Sequence, residues 1–237
     1  AQVKYEGSRI GESMWSEKLT FSTATSFVPE EVGVPWGGGY YVGRINVDGT
    51  HYAIVLASAQ AGGVATELQW KTSLTTTPNT DSLYNCKANM AGAIAAGIDL
   101  HPAFKFCYEY RGGGFDDWLL PSVDVLEVVY RNLKPTTEDN QTDSSGSPHG
   151  ATGVNPNSIP VGARYTNRNP SQTPLAWFKQ GGAESIFDRA YQRMWSSSQH
   201  SSSHAWYQSS FWSVQRADHK NSESLVYTRP VRLVRID

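Results

Sequence analysis

His200 and His204 stand four residues apart, the spacing at which one face of a helix can offer two imidazoles to a metal ion. The serines around them, at 196–198 and 201–203, form helix poorly. The segment therefore reads as a loop, and the two histidines as exposed or ligand-facing groups, with no metal and no cofactor expected. Around them, Trp195, Trp206, Tyr207, Phe211 and Trp212 alternate with Ser, Gln199, Gln208, Ser209 and Ser210, followed by Gln215, Arg216, His219 and Lys220. Rigid rings beside adaptable hydrogen-bonding groups are the composition of recognition surfaces. Such rings stack on the C–H faces of sugars, while Gln, His and Arg bond hydroxyls. The candidate ligand-binding residues are accordingly His200, His204, Tyr207, Trp212, Gln215 and Arg216. Strand alternation over 205–212 puts Trp206, Gln208 and Ser210 on one face with Trp212, and Tyr207, Ser209 and Phe211 on the other. About half of the rings should be structural, because at least one face must be buried.

Catalytic chemistry is scarce. No G-x-S-x-G elbow, phosphate-binding loop, H-E-x-x-H or paired C-x-x-C is present. A hydrolytic reading would need Asp116, Asp117, Glu184 and Asp188. Adjacent Asp116 and Asp117 point to opposite sides of an extended segment, so they read as turn formers that bond backbone amides ahead of Trp118. Asn155-Pro156-Asn157 lacks the carboxylate that a strong calcium site usually contains. Cys86 and Cys107 have apolar neighbours (Leu83, Met90, Phe104, Phe106) and read as buried thiols, with a disulfide as the lesser reading. No enzyme is expected.

The chain of 237 residues carries a net charge of −2, which argues against a nucleic-acid footprint. No apolar run approaches the ~18 residues of a membrane helix, so membrane insertion is not expected either. The first six residues contain no apolar signal core, and synthesis in a reducing cytosol is the simplest account. The unusual entry in the composition is aromatic: 8 Trp, 12 Tyr and 8 Phe beside 3 Met and 2 Cys.

The elements that must position these groups follow from pattern. Residues 1–35 read as an arm with a scattered apolar set (Tyr5, Trp15, Phe21, Phe27). After the Trp36-Gly37-Gly38-Gly39 turn, β-rich runs at 40–47 and 50–57 flank Asp48-Gly49, a hairpin signal. Asp81 or Ser82 can cap a helix to about Gly97, whose many Ala and Gly residues suggest close packing. Ser122 caps a second helix with Asp124 in its first turn and Leu126, Val129, Tyr130 and Leu133 on its apolar face. Residues 134–174 form a long polar loop in which only Val154, Ile159, Val161 and Tyr165 look buryable. Strands are expected at 187–195, 205–212 and 225–236, with Pro230 at an edge or bulge. The order of elements is α+β, with late strands pairing with the early hairpin.

Three ordered patterns carry a family resemblance: Gly37-Gly38-Gly39-Tyr40-Tyr41 with His51-Tyr52-Ala53-Ile54-Val55; Gly113-Gly114-Phe115-Asp116-Asp117-Trp118-Leu119-Leu120-Pro121; and Trp195-Ser196-Ser197-Ser198, Ala205-Trp206-Tyr207 and Arg229-Pro230-Val231-Arg232. Over residues 36–237 the chain resembles the C-terminal domain family of the Legionella collagen-like adhesin, whose fold is similar to C-type lectins. Leu119 stands where the family's D-W-R-L-P pattern has Arg, and 134–175 is an expanded loop. The resemblance implies a C-type-lectin-like domain with two helices, antiparallel sheets and a framework of Gly114, Asp117, Trp118, Pro121, Trp195, Trp206 and Arg232. It implies a binding role, often as trimers, of the kind found in bacterial surface adhesins and phage tail proteins. The leading expectation is a virion tail-fibre or tail-tip protein. It would bind a host surface glycan or protein through loops at 134–175 and 196–220, and join other virion proteins through residues 1–35. A structural decoration protein and an exported adhesin on a bacterial cell surface are the alternatives.

Overall fold

Asp48 and Gly49 both adopt positive φ, 53° and 85°, and close the tight turn that the sequence predicts between β2 (Gly39–Val47) and β3 (Thr50–Leu56). The structure is a computed structural model that describes residues 27–142, 148–149, 154–188, 191–210 and 213–236. Most of the expected arm, residues 1–26, lies outside these, as do Phe211 and Trp212. Residues 33–36 already belong to the sheet: β1 (Pro35–Trp36) pairs with β2, and Gly33 N–H donates to the Tyr41 carbonyl at 2.8 Å.

Two sheets organise the described residues. In the first, the order is β1-β2-β3-β10, with β10 (Val231–Arg235) antiparallel to β3 and the short β5 (Ser158–Ile159) antiparallel to β2. The last strand therefore pairs with the early hairpin, as the element order suggested. The second sheet runs β4-β9-β6-β7-β8, from Ala65–Thr66, Val226–Thr228, Arg193–Gln199, His204–Ser209 and Gln215–His219. Its pairs are antiparallel except β6 with β9. Pro230, which can donate no ladder hydrogen bond, sits between β9 and β10, where the chain passes from one sheet to the other.

Among the described residues three α-helices accompany the sheets, one more than expected. The first, α1 (Cys86–Ala95), starts later than predicted because Asn85 is its cap, accepting from Ala88 N–H at 3.0 Å. Its glycine explains the close packing: a Cβ on Gly92 would fall 2.5 Å from the Asn79 carbonyl oxygen. The unpredicted helix is α2 (Pro102–Glu109), which buries Ala103, Phe104 and Cys107. Pro102 at its start needs no hydrogen-bond partner there. Both cysteines are free and buried, and burial pushes the Cys86 thiol up to about 12, which removes any thiolate chemistry at neutral pH. The third helix, α3 (Val123–Leu133), matches expectation in span and in its buried face. The expected cap differs: Ser122 Oγ makes no hydrogen bond, and Ser198 Oγ of β6 accepts from Val123 N–H at 3.3 Å instead.

The polar stretch after α3 is held by buried polar groups. Asn140 bonds the carbonyls of Thr166 and Pro170 at 2.9 Å and accepts from Lys134 Nζ at 2.7 Å. The Asn155 and Asn157 amides donate to Glu127 Oε2 (3.0 Å) and Asp124 Oδ2 (2.8 Å) on α3, while Arg131 and the Tyr165 hydroxyl complete the Glu127 carboxylate. Burial pushes the Glu127 carboxyl up despite these partners. The carboxylates missing from Asn155-Pro156-Asn157 thus come from α3, but amide and guanidinium donors already occupy them. Of the four predicted buryable residues, Tyr165 is buried, Ile159 is half-buried in β5, and Val154 and Val161 are exposed.

His149 bonds the fully buried Asp124 carboxylate, and that bond holds its imidazole above the ordinary histidine range. The contribution of this pair to stability is complete below about pH 6.5 and is lost as pH rises through the raised value. The expected result is that His149→Gln lowers the unfolding midpoint at about pH 5.5 and has little effect near pH 9, read by thermal unfolding at both. An equal effect at both values contradicts the pairing.

Candidate ligand-binding face

Tyr207 and Trp206 are neighbours on β7, so the pleat sends them to opposite faces. Tyr207 lies opposite Trp195 on β6 and Arg216 on β8, and its ring meets Trp195 edge-on at 6.4 Å. Arg193 covers it, its guanidinium 5.6 Å from the ring centroid, while pairing with Asp218. Tyr207 is therefore half-buried against the core, and burial pushes its hydroxyl up. On the other face, Gln208 and Gln215 are in register and buried, and the Gln215 amide donates to the Val123 carbonyl at 2.6 Å. The end of α3 covers that part of the sheet. Farther along the same face come Trp206 opposite Ala217, then His204 opposite His219.

His200, the first residue of the β6–β7 turn, completes this cluster. Its ring meets Trp206 edge-on at 4.6 Å between centroids, and His204 lies 6.3 Å from His200 and 4.2 Å from His219. His200 and His219 are exposed; His204 and Trp206 are half-buried. Ser203 Oγ bonds His204 Nδ1 at 2.8 Å. Burial, with the neighbouring His219 and His200 rings, holds the His204 imidazole below its ordinary range. One indole and three imidazoles thus form an open surface of π faces and hydrogen-bonding nitrogens. Among the described residues, no group of three or more His, Cys, Asp or Glu is arranged to hold a metal ion.

The turn bearing His200 rests on buried supports. Lys220 Nζ donates to the carbonyls of Thr75 and Ser202, each at 2.9 Å, and to Gln199 Oε1. It lies 4.8 Å from the Trp70 ring, and the Trp70 indole donates to the Ser196 carbonyl at 2.7 Å. Serines 196–198, expected as loop, are buried strand. Their small hydroxyls fit where α1, α3 and β6 meet: Asn89 donates to Ser197 Oγ at 3.0 Å, and Ser198 Oγ donates to the Ser82 carbonyl at 2.7 Å.

The predicted site residues therefore separate. His200 and His204 come together, joined by Trp206, expected as framework, and by His219. Tyr207 and Arg216 belong to the opposite face, where Arg216 reaches Gln141 at 3.4 Å. Gln215 is turned inward, and Trp212 lies outside the described residues. Strand alternation signals the exchange of Tyr207 for Trp206; the depth of Gln215 has no sequence signal, because it depends on where the first turn of α3 lies.

The residues expected as framework are placed as follows. The fully buried Trp118 donates to the Gly112 carbonyl at 3.1 Å, and Trp195 to the Leu68 carbonyl at 2.9 Å. Gly114 has φ of 79° with open space around it, so conformation alone selects glycine there. Asp117 does not bond backbone amides; it makes a two-point pair with Arg232, whose guanidinium lies 3.5 Å from the Phe115 ring centroid. Pro121 is buried, its carbonyl taken by Ser197 N–H at 2.7 Å. Glu184, a carboxylate of the hydrolytic reading, is buried in a pair with Arg229. Two open grooves lie elsewhere, one of about 470 Å³ lined by Ala61, Phe106, Tyr110 and Arg111, and one of about 440 Å³ lined by Phe27, Pro29, Val34 and Trp36. Compared with known proteins, the chain matches no protein family, no curated protein and no solved structure.

Proposed function

We propose that the chain is a recognition module that binds a saccharide on a host cell surface through His200, His204, Trp206 and His219. The observation that carries the reading is a half-buried indole met edge-on by the exposed His200 ring, on the same sheet face as His204 and the exposed His219 and beyond the part that α3 covers. An aromatic face stacks on sugar C–H groups, and each such contact is worth on the order of 1–2 kcal/mol, so a single copy binds weakly. Display in several copies, a trimer on a virion tail or on a bacterial surface, supplies the avidity. Trp206→Ala should weaken binding to bacterial cells and to a glycan array by roughly tenfold to thirtyfold, the cost of truncating an anchoring ring, with the fold intact by circular dichroism. Unchanged binding contradicts the assignment.

A second reading, a decoration protein used for assembly, is favoured by one observation. Phe27 is 77 % exposed beside Val34, Pro35 and Trp36, where the chain enters the first sheet. This apolar entry suits docking to other virion proteins and is compatible with recognition at the opposite sheet. Particles lacking the protein should fail to adsorb to cells under the first reading and adsorb normally under the second.

A further inference from the structure

We infer that His204 and His219 together bind a divalent transition-metal ion of the class that imidazoles suit: zinc, copper or nickel. The inference stands on the strand geometry and does not depend on the saccharide reading. The sequence offers His200 and His204 as a helical pair; the strands instead set His204 of β7 opposite His219 of β8. How near the two side chains come follows from the ladder. The His204 N–H donates to Ser201 Oγ at 3.1 Å, and its carbonyl accepts from His200 N–H at 3.0 Å and Ser201 N–H at 3.1 Å. The His219 N–H donates to Asp218 Oδ1 at 2.7 Å, and its carbonyl accepts from Ser222 N–H at 2.9 Å. All four backbone groups are thus engaged away from each other, whereas Lys220 N–H, one residue on, donates across to the Ser203 carbonyl at 3.0 Å. His204 and His219 are a non-hydrogen-bonded pair, the kind whose side chains lie closest on a shared face. Their ring centroids are 4.2 Å apart, with 36° between the planes.

The surroundings fit an ion held by imidazoles. Ser203 Oγ lies 2.8 Å from His204 Nδ1; as acceptor of that N–H it orients the ring and leaves the Nε2 lone pair for a metal, the usual companion of a ligating histidine. The His219 imidazole is exposed and makes no hydrogen bond among the described residues, so it can turn to set a nitrogen about 2.0–2.1 Å from the same ion. No carboxylate joins them. Asp218, next to His219, points by strand alternation to the far face, where Arg193 pairs with it. With no group of three donors among the described residues, the site is a two-imidazole one. A nitrogen donor set suits zinc, copper or nickel and not calcium or magnesium, whose sites are built of oxygen. Two protein ligands leave the other coordination positions to water or to an outside donor, so the ion is an exchangeable guest.

The test is calorimetric titration of the tag-free protein with zinc, nickel and copper(II) salts, and with calcium and magnesium for comparison. The expected result is a single transition-metal ion per chain, copper held most tightly, with no calcium or magnesium bound in its place. His204→Gln and His219→Gln should each weaken binding by at least roughly tenfold, the scale on which even a residue behind a ligand matters. His51→Gln, an exposed position on β3 of the first sheet, should leave it unchanged. Circular dichroism checks that each variant keeps the fold. No transition metal bound by the wild type, or binding that survives both single variants, overturns the inference and leaves the saccharide reading standing.

Discussion

Arg229→Met should lower the free energy of unfolding by about 3–5 kcal/mol, because it strands a buried carboxylate. Glu184 is 1 % exposed and accepts from Ser58 Oγ at 2.6 Å, from Ala59 N–H at 2.7 Å and from Arg229. Arg229, fully buried, also donates to the carbonyls of Ala57 (2.8 Å) and Glu184 (3.0 Å). These bonds tie the exit of β3, the segment before β6 and the junction of β9 and β10 into one knot. Burial brings the guanidinium down to about 10, so it remains charged at neutral pH and balances the carboxylate. Replacing both partners with apolar residues, Arg229→Met with Glu184→Leu, should recover part of the loss, since the uncompensated charge is gone. Urea unfolding of the three proteins measures this. A single-variant loss under about 1 kcal/mol contradicts the knot.

Trp70→Ala should cost a similar amount, about 3–5 kcal/mol, by opening a cavity in the core. The ring packs edge-on against Phe104 at 5.1 Å and His101 at 5.8 Å, and its N–H satisfies the Ser196 carbonyl. It also supports the Lys220 ammonium that holds the β6–β7 turn. The substitution should therefore raise hydrogen exchange at residues 199–204 beyond what the global loss explains. Trp70→Phe keeps a ring and loses the N–H, so it should cost about 1–3 kcal/mol, the penalty of an unpaired buried carbonyl. Unaltered exchange in the turn contradicts the support role.

The parts of the fold legible in the sequence are those written in local chemistry. Asp48-Gly49 demands positive φ at both positions, and the hairpin followed. The apolar stripe of α3 and the return of 231–235 to the first sheet were equally direct. The helix at Pro102–Glu109 was missed, being short and aromatic with a proline at its start. Serines 196–198 read as loop because composition cannot report that their hydroxyls are paired inside the protein with α1, α3 and the Ser82 carbonyl. The candidate site was half legible for the same reason. The tail is where rings and hydrogen-bonding groups gather in the sequence, and the alternation of β7 separates Trp206 from Tyr207. Which of those two faces stays open depends on where α3 and the segment at 65–70 lie, and neither position is written in the tail.

The account turns on one surface, and side-chain NMR tests it directly. Oligosaccharides are titrated into the protein while the Trp206 indole N–H and the imidazole resonances of His200, His204 and His219 are followed. The predicted result is that these four side chains shift together and saturate with one affinity. Shifts confined to the groove at Ala61, Phe106, Tyr110 and Arg111, or to the entry at Phe27 and Trp36, would contradict it.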